Sequence, residues 1–417
     1  MRKDYLLRAF NACFRNKPLS LAACMLFAGM VHAQTPCLNI TSYGGNGNGT
    51  TDNTSAFNTA VAALTAQGGC ISFPAGMYLF NSALTVTYPT GVYSFTIVGA
   101  GSDNTTLYFP ASHGITINAQ NTGAQALQSI HVRDLTFTTG HAGTYAALSL
   151  SKSGATQPFA QSEVERSVFR GDDGATQTDY WGVGINVLAL PNINFDGDLF
   201  YGNSTGAGGT GIVLSGTSTG VGSAYNIAKS GFYSLGIGLA IESNVRAVTL
   251  TQTNIVNGLT CLWVPPSVTG VSGLMLTGGN NLNCQGTQIL LQSPVNNFVM
   301  NGNLIFIGAN GANNVGVWVD AVGGQNYSIV NNVFGSLAIA CTSCYPPSGY
   351  AILVNDAGSG SVKDGIILGN TFSYMAIGVD LTNASNWNVQ ANYYYNNTVQ
   401  VSNPTAGSMN SVGVATK

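Results

Sequence analysis

Carboxylates are scarce in this chain, and they gather in one stretch. Beyond the first 33 residues there are fifteen Asp and Glu, and seven of them fall between Glu163 and Asp198. Asp172-Asp173 and Asp196-Gly197-Asp198 form two pairs. Neighbouring carboxylates push each other's pKa values apart, which leaves one as a proton donor and the other as a base. That is the chemistry of glycoside cleavage, with Glu165 and His141 near enough to tune the pairs. Thr178-Asp179-Tyr180-Trp181 sets an acid beside two aromatics, a combination suited to sugar rings and their hydroxyls. Arg133, Arg166 and Arg170 supply the positive groups that a lyase would need against a uronate carboxyl. These groups require no cofactor, although Asp172, Asp173, Asp196 and Asp198 are reasonable oxygen ligands for calcium.

Something must hold these residues in register, and the chain repeats a short phrase that can. An apolar residue recurs five positions before a large one, with the large residue at Phe137, Phe169, Phe200, Phe232, Ile255, Leu282, Leu304, Phe334, Phe372 and Tyr394. The partners five before include Val132, Val164, Phe195, Val299 and Ile329, and nine of the ten are apolar, Thr277 being the exception. Units of this length cannot bury an apolar face alone, so they stack. Short β-branched runs without a helical period make the stack a parallel β-solenoid. Asn280, Asn332, Asn370 and Asn392 stand two residues before the large position, with Gly302, Ser or Thr on other rungs. Stacked ~4.8 Å apart, they predict an incomplete amide ladder that satisfies turn backbone groups. The same register sets Arg133, Glu165 and Asp196 in an outward column and brings His141 beside Asp173. Adjacent rungs span the ~5 Å separation of retaining glycosidase carboxylates, and two rungs the ~6.5–9.5 Å of inverting ones.

Residues 1–33 read as a secretion signal. Arg2, Lys3, Arg8, Arg15 and Lys17 precede the apolar run Leu19 to Val31, which ends at Val31-His32-Ala33. The expected mature chain has eight basic and fifteen acidic residues, a formal charge of −7. That balance argues against nucleic acid, and a thirteen-residue run is too short to span a bilayer. The expected location is secreted, periplasmic or cell surface. Six cysteines remain, and the local pairs Cys37–Cys70, Cys261–Cys284 and Cys341–Cys344 are favoured in an exported chain. Zinc on Cys341-Thr-Ser-Cys344 is the alternative for the last pair. A solenoid grows without splitting, so residues 34–417 are expected as one domain: cap 34–80, coils from about 81 to 400, tail 401–417.

The cap has its own signature. Thr51-Asp52-Asn53-Thr54 offers capping side chains, and Phe57, Ala60, Val61 and Leu64 follow at helical spacing. A helix over Asn53 to Ala66 is expected, stopped by Gly68-Gly69. Together with Tyr43-Gly44-Gly45-Asn46-Gly47-Asn48-Gly49 before it and Phe73-Pro74-Ala75-Gly76-Met77-Tyr78 after it, this opening resembles the pectate lyase superfamily. Asn48 stands where relatives usually have aspartate. The resemblance implies an all-β, right-handed parallel β-helix with a short N-terminal capping α-helix, and family members include polygalacturonase-like, rhamnogalacturonase-like and epimerase-like proteins and phage tailspikes. Gly171-Asp172-Asp173-Gly174 resembles the paired aspartates of polygalacturonases, which activate water and protonate the leaving group. The family's Asn-Thr-Asp, Gly-His-Gly and Arg-Ile-Lys segments have no counterpart in this chain.

Two function classes follow. One is an exported carbohydrate-active enzyme that cleaves a polysaccharide as a glycoside hydrolase or lyase. The other is a non-catalytic surface β-helix for glycan binding, adhesion or scaffolding. In either case the partner is a glycan, with catalysis expected at Asp172, Asp173, Asp196, Asp198, Glu165 and His141. Substrate contacts are expected from Arg133, Arg166, Arg170, Asp179, Tyr180 and Trp181.

Overall fold

The computed structural model describes residues 37–64, 69–87, 94–121, 128–154, 160–174, 178–307, 314–321, 323–336, 349–354, 362–382, 384–402 and 411–413. Residues 38–417 make one compact unit, and of the other, residues 1–37, only Cys37 is described. The expected leader and the Cys341/Cys344 pair lie outside the described residues.

Short alternating strands, too small to form a core singly, stack here into three wholly parallel sheets of 14, 13 and 12 strands. The chain visits sheet 1, then sheet 2, then sheet 3, and returns to sheet 1 beside its previous pass. The result is a right-handed parallel β-helix whose core is a set of side-chain columns. Phe137, Phe169, Phe200 and Phe232 stack with centroids 5.1, 4.9 and 4.6 Å apart and planes within 9°. Strand pairing already begins at Leu38–Asn39 and Asn48–Asp52, inside the stretch expected as cap.

Helix α1, Thr54–Ala62, stands where the first coil would put its sheet-3 strand. Its apolar face sets Phe57 against Phe73 and Phe80, with centroids 6.3 and 6.2 Å away. The cap comes from Asp52, whose Oδ1 accepts from the Thr54 amide at 3.0 Å and hydroxyl at 2.6 Å. Asn53 is buried and bonds Asn46, Thr51 and Leu79.

Between sheets 1 and 2 each coil turns through a left-handed residue, among them Arg166, Gly197, Lys229, Gln252, Gly302, Asn331 and Gly369. The next residue then points inward, and these residues form the ladder. Asn280, Asn303, Asn332, Asn370 and Asn392 are all buried, each Nδ2 donating to the next Oδ1 at 2.8–3.1 Å. Two expectations shift by one residue here. Gly278 and Gly279 are both left-handed, so this corner holds an extra residue and Leu276, not Thr277, faces inward. On the next coil Met300 and Ile305 are the inward pair instead of Val299 and Leu304, and Asn303 replaces Gly302 as the rung. Leu304 is exposed.

Cys261 and Cys284 form a disulfide between successive coils, and Cys37 and Cys70 are each disulfide-bonded. Among the described residues, no helix is long and apolar enough to cross a membrane.

Candidate active site on the second sheet

Four strands of sheet 2 build the site: β1 Thr105–Phe109, β2 Thr136–Thr139, β3 Val168–Gly171 and β4 Leu199–Tyr201. Alternation turns Leu107, Phe137, Phe169 and Phe200 into the core and leaves their neighbours facing out. Tyr108, Thr138 and Arg170 are paired across β1, β2 and β3, and Tyr201 follows on the same row. Tyr201 also stacks on Tyr233 of the next strand, Gly231–Tyr233, with centroids 5.3 Å apart.

Past β3 the chain folds back over its own end. Asp173 Oδ2 accepts from the Thr178 amide, the Thr178 hydroxyl and the Asp179 amide, which closes the loop. A Cβ on Gly171 would stand 2.0 Å from the Asp179 carbonyl, so only glycine fits under this fold-back. The loop delivers Asp179 to Asp172. The two carboxyls stand close enough to act on each other, and the Tyr108 hydroxyl and Asp172 Oδ2 both crowd the space beside Gly140. Partial burial, then the nearness of Asp172 and the charge of Asp173, raise the Asp179 pKa above the ordinary carboxylate value, with His141 opposing. Burial, then the nearness of Asp172, push the Tyr108 hydroxyl up to about 12.

These groups border an open groove of about 420 Å³, with Asp103, Arg170, Asp173, Asp179 and Tyr201 along it. Of the expected site residues, the structure therefore gathers Asp172, Asp173, Asp179 and Arg170. His141 is exposed, with its ring 5.0 Å from that of Tyr145, and is close enough to act electrostatically on Asp179.

The other expected residues stand elsewhere. Arg133, Glu165 and Asp196 are neighbours in register, but on sheet 1. At the adjoining corner Arg166 is held by Asp134 at 2.8 and 3.0 Å and by Glu165 at 2.7 Å, while Lys229 pairs with Asp196 at 3.3 Å. The length of β3, roughly 13 Å at ~3.3 Å per residue, separates this corner from Asp172. Asp198 is a correction. It is fully buried as a rung of the ladder, its Oδ1 accepting from the Ser167 amide at 2.9 Å, and burial first of all raises its pKa well above normal. It cannot meet a substrate or a calcium ion, and the four acids proposed for calcium do not converge. Among the described residues, no three acid, His or Cys side chains cluster as metal ligands. Trp181 is a second correction: it is 2 % exposed, and its indole nitrogen donates to the Phe137 carbonyl at 3.1 Å, so it closes a coil instead of stacking on sugar. Tyr180 is half-buried over Gly143 and Gly208.

Tyr108 carries no sequence signal because its corner is longer: Ser102 stands five before Leu107, and the inward residue of sheet 1 is Ile97, ten before.

Solved structures with this architecture include full-length tailspike protein 2 of an Escherichia coli O157:H7 bacteriophage, at 13% identity and TM-score 0.53. That likeness covers 81% of this chain and 43% of that one. PfbA, a surface adhesin of Streptococcus pneumoniae, has 13% identity and TM-score 0.50, covering 88% and 93% of the two chains. Dettilon tailspike protein has 12% identity and TM-score 0.50, covering 86% and 68%. At these identities the likeness is one of fold. No curated protein sequence matches the chain. The profile of the family described as rhamnogalacturonase A/epimerase, pectate lyase-like, matches residues 37–263, which hold every strand of the groove and more than half of the sequence. The chain belongs to that family.

Proposed function

We propose that the protein is an exported carbohydrate-active enzyme that binds a polysaccharide in the sheet-2 groove and cleaves it through Asp172 and Asp179. One observation carries this reading: two carboxyls close enough to act on each other beside the groove, one with a raised pKa. Asp179 holds the proton and gives it to the glycosidic oxygen. Asp172, beside Tyr108, draws a proton from the attacking water. Arg170 and Tyr201 position the sugar. Membership of a family named for rhamnogalacturonase A supports the carbohydrate side, and the disulfides and the leader-like first 33 residues support export.

The test is a reducing-end assay on a polysaccharide panel, read together with the ultraviolet absorbance of unsaturated products. Reducing ends without absorbance identify a hydrolase. Asp179→Asn and Asp172→Asn should each lower turnover by at least ~10²-fold at an unchanged melting temperature. Activity should fall as pH rises through the raised pKa of Asp179, because the donor is then lost. Wild-type turnover in both variants would remove the pair from the chemistry.

A second reading, glycan binding without cleavage, has one observation in its favour. The two carboxyls crowd each other, whereas paired glycosidase carboxylates usually stand about 5 Å or 6.5–9.5 Å apart. Retention of glycan with no product across the panel would select it.

A further inference from the structure

We infer that the sheet-2 groove takes an uncharged, hydroxyl-rich glycan and turns polyuronates away. The inference rests on the groove being the glycan site proposed above, and it names the chemical class that the groove admits.

The charges along the groove are unequal. Asp103, Asp173 and Asp179 line it and Asp172 adjoins Asp179, while Arg170 is the one basic residue of the lining. With Asp179 as the acid, Asp103, Asp172 and Asp173 still outnumber Arg170, so the surface stays net negative. Arg166 and Lys229, on the neighbouring sheet-1 corner, are committed elsewhere, Arg166 to Asp134 and Glu165 and Lys229 to Asp196. Length makes the imbalance matter. From β1 to β4 the groove crosses three strand intervals, about 14 Å at ~4.8 Å each, which is longer than one sugar ring. A polyuronate carries a carboxylate on every ring. Arg170 can meet one of them, and the next must lie against Asp103 or Asp173, where like charges repel. A neutral chain meets no such penalty.

The uncharged lining matches sugar hydroxyls. Ser102, Thr106 and Tyr201 face the groove.

The exclusion is a repulsive device, so it can be reversed. Affinity electrophoresis of the chain lacking residues 1–33 would use gels containing a neutral glucan, a neutral galactomannan, polygalacturonate or alginate, at low and high salt. Retardation by a neutral gel and none by the polyuronates is expected. Asp103→Lys should gain retardation by a polyuronate at least ~10-fold at low salt, and salt should erase the gain. Tyr201→Ala should lose neutral retardation by about the same factor. Polyuronate binding by the parent, equal to or tighter than neutral binding, overturns the inference while leaving cleavage by Asp172 and Asp179 standing. Neutral binding untouched by both variants places the glycan elsewhere and also overturns it. Neutral binding without product sinks only the cleavage reading, and retardation by no glycan sinks both.

Discussion

The coils up to Arg246 and those beyond it share a backbone and differ in what fills their corners. In the later coils the inner corner is an unbroken amide column. Asn332 alone accepts from the Asn303 amide and side chain and donates to Met300, Val330 and Asn370. In the earlier coils the same column reads Ser167, Asp198, Ser230 and Thr253, with fewer bonds per rung, and Asp198 Oδ2 has no partner among the described residues. The earlier coils also carry the groove, the acid pair and the surface ion pairs. Each coil touches only its neighbours, so one end of a solenoid can be built for chemistry while the other is built for order.

The sharpest way to break this comparison is to put a charge into the ordered half. Phe334 is fully buried between Ile305 and Phe372, and Phe334→Asp should cost several kcal/mol. A soluble yield at the parental level with an unchanged melting temperature would refute its place in the core. Asn332→Leu comes next, at roughly 3 kcal/mol or more, because several buried groups lose their partners at about 1–3 kcal/mol each. A urea midpoint within error of the parent would mean that the amide column bears little load.

Asp198→Asn should act the other way. A folded pKa raised above the unfolded ~3.9 means that the native state holds the proton longer. The stability this contributes is complete below pH ~3.9 and is lost as pH rises through the folded value. The amide has no such loss, so the variant should match the parent near pH 4 and exceed it at neutral pH. Melting curves that stay parallel across that range would show that Asp198 is not held as the acid. The smallest effect belongs to the exposed ion pairs. Arg166→Ala should change stability by no more than ~1 kcal/mol, and a larger loss would mean that the early corners depend on charge after all.

Most of the fold was legible in the sequence, because one phrase recurs with its apolar and large positions intact. It failed where two successive left-handed glycines lengthened a corner, since period alone does not count turn residues. Asp198 was legible as well. It stands two residues before Phe200, the offset that marks the Asn rungs, and that position in the column outweighs the charge of its side chain. The Asp172–Asp179 contact was not legible, because it depends on a loop returning over the end of its own strand, which no repeat spacing encodes. His141 and Asp173 were matched by register, and the fold-back instead turned Asp173 toward Thr178 and the Asp179 amide.

The bond between Cys261 and Cys284 joins the coil holding strand Thr260–Val264 to the next one, just beyond Asn281–Asn283. It lies where the charged coils give way to the amide coils. Fraying that starts at the C-terminal edge can strip one coil after another until it reaches this clasp, which cannot part while oxidised. A protease acting on the partly frayed chain should therefore leave a resistant N-terminal fragment that ends shortly after Cys284, and adding a reductant should let the digestion run on.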